Sequence, residues 1–249
     1  MRLEGRRAVV TGASSGIGRA IALAFAREGA NVVVNYHTRA AAAADCVAEI
    51  SDLGGKGWVI GADVSDAGAV ETLVNEAIAV LGGIDIWANI AGGDILTGAG
   101  AEMSDAQKLS QLIDVDLRGT IQCCWAAAPR MTCGGSIINL SWDLALVGMQ
   151  GRNPEMFAAV KAGITGFTRS LARSLAPDIR VNEIAPGWIE TAFAEGDMRK
   201  NYREDVIKST PLMRLGRPED VAGAAIYLAG DESSFVSGQT LKVNGGLSS

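Results

Sequence analysis

Short apolar, β-branched runs alternate with amphipathic stretches along the whole chain. Short apolar runs bounded by turn residues are typical of buried strands, whereas apolar residues spaced three and four apart predict helices. The predicted strands are Ala8–Thr11, Asn31–Asn35, Trp58–Gly61, Ile84–Ala88, Ser136–Leu140, Arg180–Ile184 and Thr240–Val243. The predicted helices are Ile17–Arg27, Ala40–Leu53, Ala67–Leu81, Asp105–Met131, Glu155–Ala176 and Arg217–Leu228.

This alternation predicts an α/β fold. Strands separated by helices are joined by right-handed crossovers, which gives a Rossmann-type, doubly wound parallel sheet of seven strands with helices on both faces. Since no linker or shift in composition interrupts the 249 residues, we predict that residues 1–249 form a single domain. The stretch Glu190–Pro211 is polar and long for a connection, so we interpret it as a candidate substrate lid.

Composition narrows the possible partners and the cellular location. The net charge is −6 and no long basic run occurs, so nucleic acid and anionic membrane are poor candidates. No apolar run reaches membrane-spanning length, and we find no signal-peptide pattern. The four cysteines form no C-x-x-C pair, which favours reduced thiols and a cytoplasmic protein. Because His37 is the single histidine, we exclude a multi-histidine metal site and expect no metal.

A glycine-rich segment, Thr11-Gly12-Ala13-Ser14-Ser15-Gly16-Ile17-Gly18, joins the first predicted strand to the first predicted helix. Gly12 permits a tight turn, Gly16 lets the backbone approach a pyrophosphate, and Gly18 lets the helix lie close to the sheet. The helix N-terminus supplies N–H donors and a partial positive charge. In this strand–turn–helix setting the pattern predicts a dinucleotide site. The other predicted contacts of this segment are Ser14, Ser15 and Ile17.

Further motifs follow the later strands in a fixed order. They are Asp63-Val64, Asn89-Ile90-Ala91-Gly92, Pro186-Gly187-Trp188-Ile189-Glu190-Thr191, and the tail segments Ser237-Gly238-Gln239 and Val243-Asn244-Gly245-Gly246. With these motifs the chain resembles the short-chain dehydrogenases/reductases over essentially its whole length, and is closest to the 3-oxoacyl-(acyl carrier protein) reductase branch.

The resemblance implies a nicotinamide dinucleotide as cofactor and a small-molecule substrate. It implies that Asp63 contacts the adenine ring and that Pro186, Gly187 and Thr191 hold the nicotinamide end. It also implies a homotetramer, built on the long helix and on the helix that carries Lys161. The remaining cofactor contacts that it implies are Val64, Asn89, Ala91, Gly92 and Ile189.

The end of the second strand indicates which nicotinamide cofactor is bound. The segment Val34-Asn35-Tyr36-His37-Thr38-Arg39 has no Asp or Glu near Tyr36 to bind a ribose 2′-hydroxyl. Tyr36 leaves room for a 2′-phosphate, and His37 or Arg39 could donate to it, although both could also be surface polar residues. We predict that NADP(H) is favoured over NAD(H).

The resemblance breaks at the catalytic residues. The family uses a Tyr, a Lys four residues later, a Ser, and an Asn on the long helix. Here the Tyr-x-x-x-Lys segment reads Phe157-Ala158-Ala159-Val160-Lys161, so the lysine is kept and the phenol is lost. Trp142 stands at the Ser position, before a loop two residues longer than usual, and Asp116 stands at the Asn position. Ser141 is adjacent to Trp142, but neighbouring residues of a strand face opposite sides.

Other side chains could replace the lost proton donor. Tyr202, in the candidate lid, could reach inward, although a surface position is the simpler expectation. Asp143 and Glu155 flank the altered loop, and such carboxyls donate poorly at neutral pH unless desolvation raises their pKa. The simpler expectation for both is a solvated charge. Asp116 could either pair with Lys161 or lie on the helix surface.

Three functions remain open from the sequence. The first is an NADP(H)-dependent oxidoreductase acting on a carbonyl, an alcohol or an activated double bond, because hydride transfer needs only the geometry of cofactor and substrate. The second is a non-catalytic dinucleotide-binding scaffold or sensor subunit. The third is a non-redox enzyme on the same fold. We favour the first, with Lys161, Asp116, Phe157, Trp142 and Ser141 as the altered catalytic set.

Overall fold

Seven parallel strands form one sheet in the computed structural model, which describes residues 1–191, 194, 196 and 198–248. The strands are β1 Arg7–Val10, β2 Asn31–Tyr36, β3 Lys56–Gly61, β4 Ile84–Asn89, β5 Met131–Leu140, β6 Ile179–Pro186 and β7 Thr240–Val243. Their order in the sheet is β3-β2-β1-β4-β5-β6-β7. The order reverses between β1 and β4, so the predicted doubly wound α/β sheet is confirmed.

Helices connect the strands and cover both faces of the sheet. Among the described residues they are α1 Gly16–Arg27, α2 Ala40–Asp52, α3 Ala67–Leu81, α4 Gly98–Ala101, α5 Asp105–Gln111, α6 Gly119–Ala127, α7 Arg152–Leu175, α8 Lys200–Ser209 and α9 Pro218–Ala229.

The long helix predicted over Asp105–Met131 is divided. A π-helical turn, Leu112–Arg118, separates α5 from α6, and a 3₁₀ turn, Ala128–Arg130, follows α6. Met131, which we predicted to be helical, is the first residue of β5. A π turn adds a residue between backbone hydrogen bonds and is frequent at functional sites. Here it carries Asp116.

The candidate lid, Glu190–Pro211, is not irregular throughout. Its second half contains α8, whose Val206 is buried with Ala194 and Leu215 in a small apolar cluster. Helical periodicity in this stretch is weak because charged residues dominate it, so the sequence did not indicate the helix. Residues 192, 193, 195 and 197 of the lid lie outside the described residues.

Two apolar layers pack on the sheet. Consecutive strand residues face opposite sides, so Val10 packs with Phe25 of α1 whereas Val9 packs in the other layer with Leu73 of α3. Burial on both faces explains why the strands are almost continuously apolar. No described helix has both the length and the apolar character needed to cross a membrane.

The loops after β1 and β4 are held together at the point where the strand order reverses. The Oγ1 of Thr11 accepts hydrogen bonds from the backbone N–H groups of Ile90 and Ala91, at 3.0 and 3.1 Å. Gly12 has a φ of +63°, and a Cβ there would lie 2.7 Å from the Cα of Ala91. Only glycine fits this approach, which opens the crevice beside the two loops.

Candidate active site

A cavity of about 1430 Å³ lies at the carboxyl ends of the strands. Ligands of open α/β sheets bind in this position. Most of the residues predicted to bind the cofactor line it: Gly12, Ser14, Ser15, Gly16, Ile17, Gly18, His37, Arg39, Asp63, Val64, Ala91, Gly92, Lys161, Pro186, Gly187, Ile189 and Thr191. The altered catalytic set lines the same cavity: Lys161, Asp116, Phe157, Trp142 and Ser141.

The glycine-rich loop has the shape that a pyrophosphate requires. Helix α1 begins at Gly16, and the atom nearest to a Cβ built there is Thr191 Cγ2, at 3.8 Å, so this backbone borders open space. A Cβ on Gly18 would lie 2.4 Å from the carbonyl oxygen of Gly12, so a side chain there would push the helix off the loop. The first N–H groups of α1 are therefore available to an anion in the cavity. These residues fit a dinucleotide.

Nitrogen donors lie beside the glycine-rich loop on the cavity wall. The Nη1 of Arg39 donates to Ser15 Oγ at 3.3 Å, and the Nε2 of His37 lies 3.6 Å from Asp63 Oδ2. Burial alone would raise the pKa of Asp63, but hydrogen bonds from Ser65 and the nearby His37 lower it below its ordinary value. Asp63 therefore stays ionised and positions His37 at the cavity wall.

Two predicted cofactor contacts are not brought to the cavity wall. The ring of Tyr36 lies against β3, with its Oη 3.0 Å from the Cβ position of Gly61. Asn89 is 4% exposed; its Nδ2 donates to Asn139 at 2.8 Å, and its Oδ1 accepts from Trp87 at 2.7 Å. Asn89 therefore ties the end of β4 to β5 beneath the cavity.

Lys161 and Asp116 form a buried ion pair on the cavity wall. The Nζ of Lys161 lies 2.8 Å from Asp116 Oδ2, and the two side chains are 7% and 2% exposed. Nζ also donates to the carbonyl of Leu140 at 3.1 Å, while Asp116 Oδ1 accepts from the N–H of Gly93 at 2.6 Å. The predicted pairing is thus confirmed, and a surface position for Asp116 is wrong. Each charge has a partner, which a buried charge requires.

Two aromatic rings line the cavity at the positions where the resemblance predicts hydroxyl groups. Phe157, on α7, packs on the apolar cluster of Leu112, Met156 and Val160. Its ring meets that of Trp142 edge to face, with centroids 6.1 Å apart. This end of the cavity is therefore apolar beside the lysine.

Ser141 and Trp142 both line the cavity. Backbone pairing with β6 continues past Leu140, because the N–H groups of Ser141 and Asp143 donate to Ile184 and Pro186. Ser141 is 5% exposed, and its Oγ has no hydrogen-bond partner among the described residues. A buried hydroxyl without a partner indicates a position that a ligand can satisfy.

Of the three possible replacement acids, one reaches the cavity. Tyr202 lines it and meets Trp188 edge to face at 5.5 Å, so its expected surface position is wrong. Asp143 is also not solvated, because it is 3% exposed and accepts hydrogen bonds from Asn244 and Ser248, away from the cavity wall. Burial raises its pKa. Glu155 is exposed and pairs with Arg152, as expected of a solvated charge.

Comparison with known proteins places this geometry in a family. A family model described as enoyl-(acyl carrier protein) reductase matches residues 12–248. The 3-oxoacyl-[acyl-carrier-protein] reductase FabG of Staphylococcus aureus is 38% identical over 246 residues, which are 97% of this chain and 98% of that protein. The chain belongs to the short-chain dehydrogenase/reductase family.

Solved structures of the family agree with the fold throughout. A short-chain dehydrogenase/reductase from Serratia marcescens superposes with a TM-score of 0.90 at 32% identity, covering 100% of both chains. A short-chain dehydrogenase from Burkholderia cenocepacia in complex with NADP gives a TM-score of 0.89 at 33% identity and covers 99% of both chains.

Asp94 and Trp188 are two of the cavity-wall residues of this short-chain dehydrogenase/reductase that were not predicted from its sequence. Asp94 follows the Asn89 motif at the carboxyl end of β4, and that position was an available signal. Burial would raise the pKa of Asp94, but hydrogen bonds from Thr97 and Leu96 lower it. Trp188 lies inside the Pro-Gly motif and pairs with Tyr202. That contact joins segments far apart in sequence, so no local pattern indicated it.

Proposed function

We propose that the protein is an NADP(H)-dependent oxidoreductase that acts on a small molecule at an atypical active site. The observation that carries this proposal is the buried pair of Lys161 and Asp116, which lies in the same cavity as the glycine-rich loop. If the cavity bound only the dinucleotide, no room for a second molecule would be needed beside Lys161 and Asp116. The apolar end next to Phe157 and Trp142 offers such a space for a second molecule.

Different residues would bind the different chemical groups of the cofactor. The N-terminus of α1 would bind the pyrophosphate, and Asp63 would contact the adenine ring. Arg39 and His37 would bind a 2′-phosphate, since no carboxylate in the described range Tyr36–Arg39 would repel it. The nicotinamide, when bound, supplies or accepts a hydride. The short-chain dehydrogenase of Burkholderia cenocepacia, solved with NADP, supports this assignment.

The chain's own residues would orient the reactants. Lys161 has one N–H left after its contacts with Asp116 and Leu140, and this would bind the nicotinamide ribose. Ser141 has a free hydroxyl beside the same strand end, where a carboxamide or a substrate group could satisfy it. Phe157 and Trp142 would exclude water from the reacting atoms.

Two measurements test the proposal. Calorimetry should show NADPH binding more tightly than NADH, and consumption of NADPH should be screened over ketones, quinones, imines and enones. The variant is Gly16→Ala, whose methyl group would enter the phosphate position; because Gly16 has a φ of +53°, the folding of this variant is first checked by urea unfolding. It should weaken the binding of both dinucleotides. If neither dinucleotide binds, the proposal fails. If NADPH binds and no substrate in the screen consumes it, a non-catalytic subunit becomes the better explanation.

The proposal extends to assembly and location. A homotetramer formed through α6 and α7 would cover Trp125 of α6, which is 66% exposed. Sedimentation equilibrium would test this, because a monomer would contradict it. The four cysteines are free thiols, as a reducing cytoplasm would maintain them.

A further inference from the structure

Beside Lys161 the cavity wall carries the aromatic rings of Phe157 and Trp142, with the hydroxyl of Ser141 next to them. From this we infer that the substrate is a hydride acceptor with a permanent positive charge on nitrogen, an iminium or an N-alkylated heteroaromatic cation. The inference rests on the proposed function, because it names the substrate class of the same site.

The first argument is the fate of charge during reduction. Addition of hydride to a carbonyl leaves a negative oxygen, which needs a donor or a positive charge nearby. Phe157 and Trp142 offer no hydroxyl, and the ammonium of Lys161 is neutralised by Asp116 at 2.8 Å. An alkoxide formed against these two rings, out of reach of the Ser141 hydroxyl, would be poorly stabilised.

The second argument is the fate of the proton. Tyr202 is the described tyrosine on the cavity wall, and burial raises its pKa above the ordinary value, which makes it a weaker acid. Asp143, whose pKa is also raised, is hydrogen-bonded to Asn244 and Ser248 away from the wall. A substrate whose reduction takes up no proton does not need the proton donor that this part of the cavity wall lacks.

Reduction of an iminium ion meets both conditions. The hydride forms a C–H bond at the iminium carbon, the C=N π pair becomes a lone pair on nitrogen, NADPH is oxidised to NADP⁺, and no proton is taken up. The positive charge of the substrate disappears and no oxyanion forms. A neutral site with apolar walls suits this change of charge.

The third argument is recognition of the cation. Among the described residues, four aromatic side chains line the cavity in two edge-to-face pairs, Trp142 with Phe157 and Trp188 with Tyr202. Faces of aromatic rings attract cations, most strongly where water is excluded. Asp94, which hydrogen bonds and the nearby Arg39 keep ionised, adds a negative charge to the same cavity, and Arg39 offsets part of it. A neutral ketone gains nothing from either feature.

The test uses the full-length protein with NADP⁺ bound and two probes of similar shape. The cation is N-methyl-3,4-dihydroisoquinolinium and the neutral control is α-tetralone. Calorimetry should show the cation binding about 10-fold more tightly. Trp142→Leu should weaken binding of the cation about 5-fold, whereas Trp142→Phe, which keeps an aromatic face, should restore most of it. Asp94→Asn removes a negative charge from the cavity wall and should weaken binding of the cation. Glu155→Gln removes a negative charge from the exposed surface, serves as its control, and should not weaken binding.

Turnover provides the second readout. With NADPH, the cation should be reduced at a rate that does not change between about pH 6 and 9, because no group of the protein supplies a proton. Equal or tighter binding of α-tetralone, or cation binding that Trp142→Leu does not weaken, would overturn the inference. Reduction of α-tetralone that Ser141→Ala abolishes would also overturn it, since Ser141 would then dock a carbonyl oxygen. These results would leave the proposed function intact, whereas failure to bind NADPH would remove both.

Discussion

The ammonium group of Lys161 lies 2.8 Å from Oδ2 of Asp116, and the other carboxylate oxygen accepts the N–H of Gly93. One carboxylate thus ties α7, the π-helical turn and the loop after β4 to a single point. Lys161 is therefore held by a carboxylate at the position where the resemblance predicts an Asn in the family.

Asp116→Asn should destabilise the protein, because it leaves a buried ammonium without its counter-charge. We expect a loss of about 3–5 kcal/mol in the free energy of unfolding, measured with urea. Asp114→Asn is the matched control, since Asp114 lies on the same turn and pairs with Arg118 at the surface. The control should change the free energy of unfolding by less than about 1 kcal/mol. Equal effects of the two variants would contradict a special role for Asp116.

Phe157→Tyr alone should not restore reduction of an acetoacetyl thioester, because Trp142 still occupies the position where a substrate oxygen would dock. The double variant Trp142→Ser with Phe157→Tyr restores both hydroxyls and should raise the turnover number by about 10²–10⁴-fold. Steady-state kinetics with NADPH provide the measurement. Full activity of the single variant would show that Trp142 does not block docking.

Arg39→Ala should reduce the preference for NADPH over NADH. The lost contact with a 2′-phosphate corresponds to about 10- to 100-fold weaker NADPH binding, and NADH binding should hardly change. The control is Arg130→Ala, which breaks a surface pair with Glu71 outside the cavity. Calorimetry with both dinucleotides checks the result, and parallel losses for NADPH and NADH would count against recognition of the phosphate.

The pair of Arg7 and Asp85 should make stability depend on pH in the acid range. Burial would raise the pKa of Asp85, but hydrogen bonds from Arg7 and Thr132 lower it from 3.8 to about 2. A lowered pKa in the folded state gives stability that is present above about pH 4 and lost as the pH falls toward about 2.

Asp85→Asn should therefore cost about 1–2 kcal/mol at pH 6, and the difference from the unmodified protein should shrink as the pH approaches 2. Urea unfolding at several pH values checks this. A difference that stays constant with pH would show that Asp85 acts through its hydrogen bonds and not through its charge.

Much of the fold could be predicted from local sequence because its signals are local. Gly12, Gly16 and Gly18 marked the phosphate loop through their spacing between a predicted strand and a predicted helix. The apolar runs located the strands, although Met131 shows that boundaries were less certain. Phe157 was assigned to the family's Tyr position from local sequence too, because Lys161 follows four residues later. These features depend on residues that are close together in the sequence, so the sequence is enough to predict them.

Tertiary structure decided which side chains meet. Ser141 and Trp142 share a cavity because pairing with β6 carries this segment to the carboxyl end of the sheet, where the cavity lies. Tyr202 reaches the cavity because Trp188, 14 positions earlier, gives it a ring to pack against. Asp143 is buried because Asn244 and Ser248 return to it from the far end of the chain. Burial of a charged or aromatic group depends on partners that are distant in sequence, and chain topology alone brings them together.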